Sequence, residues 1–188
     1  MKKSSLVLAG VALLSLAGSR ARAQEPERFQ AWAVNLSNVA TGANSQVDIV
    51  IERWSSDAER DRLVEAFQKG QDALLRELQK IKPRAGYFKL PDQVGWDIMF
   101  ARQVPGEDGG QEILLVTDRR IDFWEARERP RSIDYPFTLI ELHVDKNGQG
   151  EGQASVATKI TYNKKKNVLE LENFTSEPVR LQKVEKVG

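Results

Sequence analysis

From Phe137 to Val184 apolar and polar residues alternate with a period of two, broken only by short turn-forming stretches. That period belongs to strands, whose successive side chains point to opposite faces, so the chain has to build a sheet. Phe137 to Val144 carries Thr138, Ile140, Leu142 and Val144 on one side. Asp145-Lys146-Asn147-Gly148 reads as a hairpin turn, because Asn-Gly suits the positive φ of a tight turn. Gln153 to Tyr162 returns with Ala154, Val156, Thr158, Ile160 and Tyr162 alternating, and Asn163 to Asn167 turns again. With Val168 to Asn173 and Val179 to Val184, the pattern predicts a four-strand antiparallel meander.

Upstream, Phe29 to Leu36 is apolar on both sides and predicts a fully buried strand. Gln46 to Trp54 predicts a second, with Val47, Ile49 and Ile51 on one face. The period changes at Ser55. Ser56 and Glu59 have capping-box spacing, and apolar residues from Leu63 to Ile81 recur at helical spacing. Gly70 interrupts this run, which predicts two short helices more readily than one, and Pro83 ends it. Arg84 to Leu90 and Gly95 to Val104 return to alternation, the latter with Trp96, Ile98 and Phe100 on one face. Pro105 to Gly110 is a loop tip, and Glu112 to Thr117 completes a hairpin. A short strand near Ile121 to Trp124 is expected before an irregular loop.

The fold class expected is α+β: a mostly antiparallel, curved sheet or partly open barrel with a helical insertion at about 56–81. The helix is expected to plug one opening, with a flatter sheet packed on the helix as the alternative.

Residues 1–23 have the three parts of a secretory signal peptide: Lys2 and Lys3, an apolar run from Leu6 to Ala17, and Ala21-Arg22-Ala23. Residues 24–188 then form a single β-rich domain, periplasmic or secreted, with no membrane span after cleavage. Of the 28 basic residues, Lys2, Lys3, Arg20 and Arg22 fall in this leader, which holds no acid; 24 basic and 27 acidic residues remain. A net-acidic chain without a dominant basic stretch is a poor ligand for nucleic acid. There is no cysteine, which excludes disulfides, cysteine nucleophiles and iron–sulfur clusters.

Few residues suggest chemistry. Glu141, His143 and Asp145 are expected on one strand face, where a carboxylate and the only histidine could do acid–base work. The competing reading is a solvated face opposite Ile140, Leu142 and Val144. Asp145 to Gly150 imitates the opening of a calcium loop, but Val156 stands where a bidentate glutamate is required. Gly148, Gly150 and Gly152 lack the Gly-Lys-Ser/Thr of a phosphate loop. No metal site and no cofactor are expected. Arg119 to Arg131 is interleaved with acids and reads as a self-neutralising loop. Trp96, Phe100 and Trp124 are the candidates for lining an apolar pocket, weighed against ordinary core packing.

The stretch from Thr117 to Ile160, together with Ala33 to Val39, resembles uncharacterised exported proteins of soil-type bacteria. The resemblance implies an exported, bacterial protein and transfers no site. The function expected is that of an exported non-enzymatic protein binding a small apolar ligand or a cell-envelope partner. The alternative is an enzyme or metal-binding protein using Glu141 and His143, and a third possibility is an assembly partner acting through a sheet edge.

Overall fold

The computed structural model describes residues 25–34, 44–106, 109–119, 136–163, 168–173 and 178–188. The expected leader, the strand near Ile121 to Trp124 and the turn at Lys164 to Lys166 lie outside the described residues.

Nine strands and two helices follow one another along the chain: β1 (Glu27–Val34), β2 (Asn44–Ile51), α1 (Asp57–Gln68), α2 (Gln71–Gln79), β3 (Gly86–Lys89), β4 (Trp96–Pro105), β5 (Gln111–Thr117), β6 (Phe137–Val144), β7 (Gln149–Asn163), β8 (Val168–Asn173) and β9 (Val179–Lys186). Strands β6-β5-β4-β3-β2-β1-β9-β7 are hydrogen-bonded in that order, and β7 pairs back onto β6. All neighbours are antiparallel. The result is a closed eight-stranded barrel rather than a partly open one, and closure removes the sheet edges that would otherwise need covering. No helix among the described residues is long and apolar enough to cross a membrane.

The last third is not the meander that alternation alone predicts. Thr158 pairs with Phe137 on one side and Asn173 on the other. On that second edge β8 takes the far half of β7, while β9 takes Gln149 to Ala154 and then carries the pairing on to β1. Hence β9 closes the barrel and β8 is a short addition beside it.

Inside, one apolar cluster draws on all eight barrel strands and includes Phe29, Ile49, Phe88, Ile113, Leu115, Ile140 and Leu142. Each of these seven is at most 2% exposed, so none borders a void that water could enter, and the interior around them is a packed core. Fully burying a large apolar side chain contributes about 1.5–3 kcal/mol. Outside, Leu63, Phe67, Leu74 and Leu78 pack on Met99, Phe100, Val116, Phe137 and Leu139. These strand residues alternate with the interior set. The helices therefore lie on the outer wall of β4–β5–β6 and do not plug an opening.

The helical segment breaks in two, as the sequence suggests. Ser56 accepts a hydrogen bond from the Glu59 N–H and the Glu59 carboxylate accepts from the Ser56 N–H, closing the capping box. Gly70 has φ +116°, a region closed to most side chains, and separates α1 from α2. Arg53 grips Glu59 through two hydrogen bonds of 2.9 and 2.8 Å and also donates to the Pro83 carbonyl, tying the start of α1 to the chain beyond α2.

Register shifts mark bulges in β4, β7 and β9, and those in β4 and β9 reset faces that strict alternation would assign. In β4, Ile98 pairs with Thr117 but Phe100 with Val116, so the bulged strand has one residue too many. Ile98 and Ala101 face the interior, whereas Met99 and Phe100 both lie under the helices. This corrects the single face expected for Trp96, Ile98 and Phe100. In β9 the extra residue falls between Leu181 and Val184, both interior, and Lys183 adopts a left-handed φ of +50°. Two further expectations change. Strand β1 is buried on one face only, since Phe29, Ala31 and Ala33 point inward while Trp32 is 45% exposed. Strand β2 stops at Ile51, and Trp54 packs against the barrel core with its indole N–H donating to Glu27.

Candidate functional site

Strand β6 lies between β5 and β7, so each outward residue has a cross-strand neighbour on both sides. Ile140, Leu142 and Val144 fill the interior, which turns Glu141 and His143 outward. His143 stands opposite Glu112 on β5 and Glu151 on β7; Glu141 stands opposite Leu114 and Gln153. Directly opposed residues have β-carbons about 4.5–5.5 Å apart, so Glu112, His143 and Glu151 form a row across three strands.

This row borders a groove of about 340 Å³ on the outer wall, next to the helices. Leu114 and the 43%-exposed Val104 supply its apolar side chains, and Arg102, Glu112, Glu141 and His143 its polar groups. A second depression, about 280 Å³, runs on from His143 to Glu151, Gln153 and Arg180. His143 is thus shared by both.

The polar groups differ in how they are held. Arg102 donates to Asp57 at 2.9 Å, so α1 fixes one wall of the groove. That guanidinium, and secondarily Arg60, holds the Asp57 carboxyl below its ordinary range. Gln153 donates to Glu141. Glu112, His143 and Glu151 have no side-chain hydrogen bond or ion pair among the described residues, which leaves two carboxylates and an imidazole open to an incoming group.

Asp145 does not join them. Strand β6 ends at Val144, and the Asp145 carboxylate folds into the hairpin, accepting from the backbone N–H groups of Asn147 (2.8 Å) and Gln149 (2.9 Å) and from the Asn147 carboxamide. The Gln149 N–H and the Asn147 contacts hold its carboxyl below the usual value. Loop closure therefore uses the oxygens that a calcium reading would require. Among the described residues no three His, Asp or Glu side chains come close enough to hold one metal ion.

The aromatic candidates are scattered. Trp96 packs against the barrel core, tilted on Phe88 with ring centroids 6.1 Å apart. Phe100 is buried beneath the helices on the opposite face of β4, so these two rings cannot line one pocket. Trp124 lies outside the described residues. Near Trp96 the surface opens into a shallow polar cleft walled by Arg84, Tyr87, Asp97 and Arg119. Arg84 bonds Glu52 and Asp97 and stacks over Tyr87 at 5.0 Å, leaving it no free fork for a ligand.

Glu112 and Glu151 were not singled out by sequence reasoning. Alternation turns Glu112 outward but does not reach Glu151, which the sequence leaves ahead of the strand expected from Gln153, and the place of both beside His143 depends on strand register. The 19 residues between β5 and β6 (118–136) hide one register, and the glycine-rich start of β7 hides the other. No known protein family, curated protein or solved structure matches this chain.

Proposed function

We propose that this is an exported, non-enzymatic protein that holds a cell-envelope partner on the outer wall of its barrel. The observation that carries this reading is the row Glu112–His143–Glu151 along a groove with an apolar lining. Glu112, without a side-chain partner among the described residues, beside Leu114 and Val104 suits a partner segment that presents basic and apolar side chains together, since complementary charge steers encounter and an apolar anchor supplies most of the affinity. The small-apolar-ligand reading draws no support from the interior, where Phe29, Phe88, Ile113 and Leu142 are packed against one another. A photo-reactive amino acid placed at Val104 tests the reading in the producing cell. The expected result is crosslinking to one discrete polypeptide from Val104 and none from the 90%-exposed Val94, which lies outside the groove in the connection before β4. Equal crosslinking from both positions, or none from Val104, would contradict it.

A second reading, an enzyme or metal site centred on Glu141 and His143, is favoured by one observation: Glu112 shares their groove. Zinc titration tests it. A rise in melting temperature that is lost in His143→Ala would support this reading over the first.

A further inference from the structure

The face of the barrel formed by β2, β1 and β9 carries a different kind of surface. Trp32 points outward from the middle of β1 and is 45% exposed, whereas the other described tryptophans, Trp54 and Trp96, are packed against the core. Its cross-strand neighbours are Gln46 on β2 and Gln182 on β9, both exposed. One residue pair further along, Gln30 donates to Asp48 at 3.1 Å, which anchors that side of the patch.

We propose that Trp32, flanked by Gln46 and Gln182, is a stacking platform for a hexopyranose unit of a polysaccharide. A pyranose ring has an apolar C–H face that matches the face of an indole, and equatorial hydroxyls at its rim that both donate and accept hydrogen bonds. A carboxamide likewise both donates and accepts, and directly opposed strand positions lie about 4.5–5.5 Å from Trp32 at the β-carbon, within reach of the ring's two edges. The alternatives fit less well. A stable protein interface covers about 800 Å² per partner around a buried apolar centre, but the two direct cross-strand neighbours of Trp32 are polar amides. Single-stranded nucleic acid also stacks on aromatics but needs cations along its backbone, and neither direct neighbour of Trp32 is charged. The platform is separate from the groove beside His143 and does not depend on it.

Sedimentation with insoluble polysaccharides tests the proposal, using cellulose, chitin and purified peptidoglycan sacculi to separate neutral from N-acetylated and envelope glycans. The expected result is retention of the wild-type chain on at least one of them. Trp32→Ala should lower the affinity about tenfold or more, as loss of a central tryptophan does, Trp32→Tyr should keep most of it, and Gln182→Ala should weaken it several-fold. Because Trp32 is exposed, the melting temperature of Trp32→Ala should match that of the wild type. Absence of wild-type retention on all three glycans, or undiminished retention of Trp32→Ala, would overturn the proposal.

Discussion

A β-carbon added at Gly150 would stand 1.8 Å from the backbone carbonyl oxygen of His143. Gly152 repeats the relation, at 2.3 Å from the carbonyl oxygen of Glu141. Gly150 and Gly152, two of the glycines that resemble a nucleotide loop in the sequence, are therefore what lets β7 press against β6 where the barrel closes. Gly150→Ala should cost more than about 3 kcal/mol, above the usual range for overpacking, because backbone rather than a side chain must give way. Gly70→Ala, with open space around it but a φ of +116°, should cost only about 1–3 kcal/mol of backbone strain. Urea denaturation of both variants checks the order, and a Gly150→Ala variant as stable as the wild type would contradict this closure.

The helical insertion should be sensitive to its cap and to acid. Ser56→Ala removes the side-chain acceptor for the Glu59 N–H and should cost about 1 kcal/mol. Arg53, opposed in part by burial and helped by the Ser56 N–H, holds the Glu59 carboxyl below its ordinary range. With the folded-state pKa depressed, the native chain binds fewer protons than the unfolded chain between the two values, so stability rises with pH there. The contribution is complete above the unfolded value of about 4.3 and is lost as the pH falls through the lowered one. Glu52, held down by Arg84, acts in the same sense. Melting curves should show Glu59→Gln destabilised at pH 7, with the gap to the wild type narrowing as the pH falls below about 4.3. A gap independent of pH would contradict this.

Phe100 separates the two packing arrangements available to the helices. On the outer wall it is buried among Leu63, Phe67 and Leu78, and Phe100→Ala should cost about 3–5 kcal/mol. The α-helical circular dichroism signal should melt before the sheet signal in that variant. Unchanged stability would mean that the helices dock elsewhere.

The hairpin at Asp145 should ignore calcium. Its carboxylate already accepts from the Asn147 and Gln149 N–H groups, so millimolar calcium should leave the melting temperature of the wild type unchanged. Asp145→Ala should lower stability, because the Asn147 and Gln149 N–H groups lose their acceptor. A calcium-dependent rise would contradict the closed turn.

Alternation made most strands legible, and the capping box at Ser56 and the break at Gly70 made both helices so. Bulges were not legible: nothing in Trp96-Asp97-Ile98-Met99-Phe100 marks where the period slips, and the slip moved Phe100 from the expected pocket face to the helix side. Strand order was hidden for a similar reason. Sequence neighbours pair by default, and β9 leaves β8 for β7 and β1 because Val179, Leu181 and Val184 complete the interior there. His143 and Glu141 could be placed on one face from the sequence. Glu112 and Glu151 could not be placed beside them, because cross-strand neighbours follow from register and register follows from the fold.

Native mass spectrometry of the protein isolated gently from its producing cells tests most directly whether binding belongs to the outer wall and not to the barrel interior. The expected spectrum holds the bare chain and a complex with one polypeptide, and the complex disappears when Glu112→Lys and Glu151→Lys are combined. A chain that instead retains a stoichiometric small apolar molecule, or a complex untouched by the double charge reversal, would contradict the assignment.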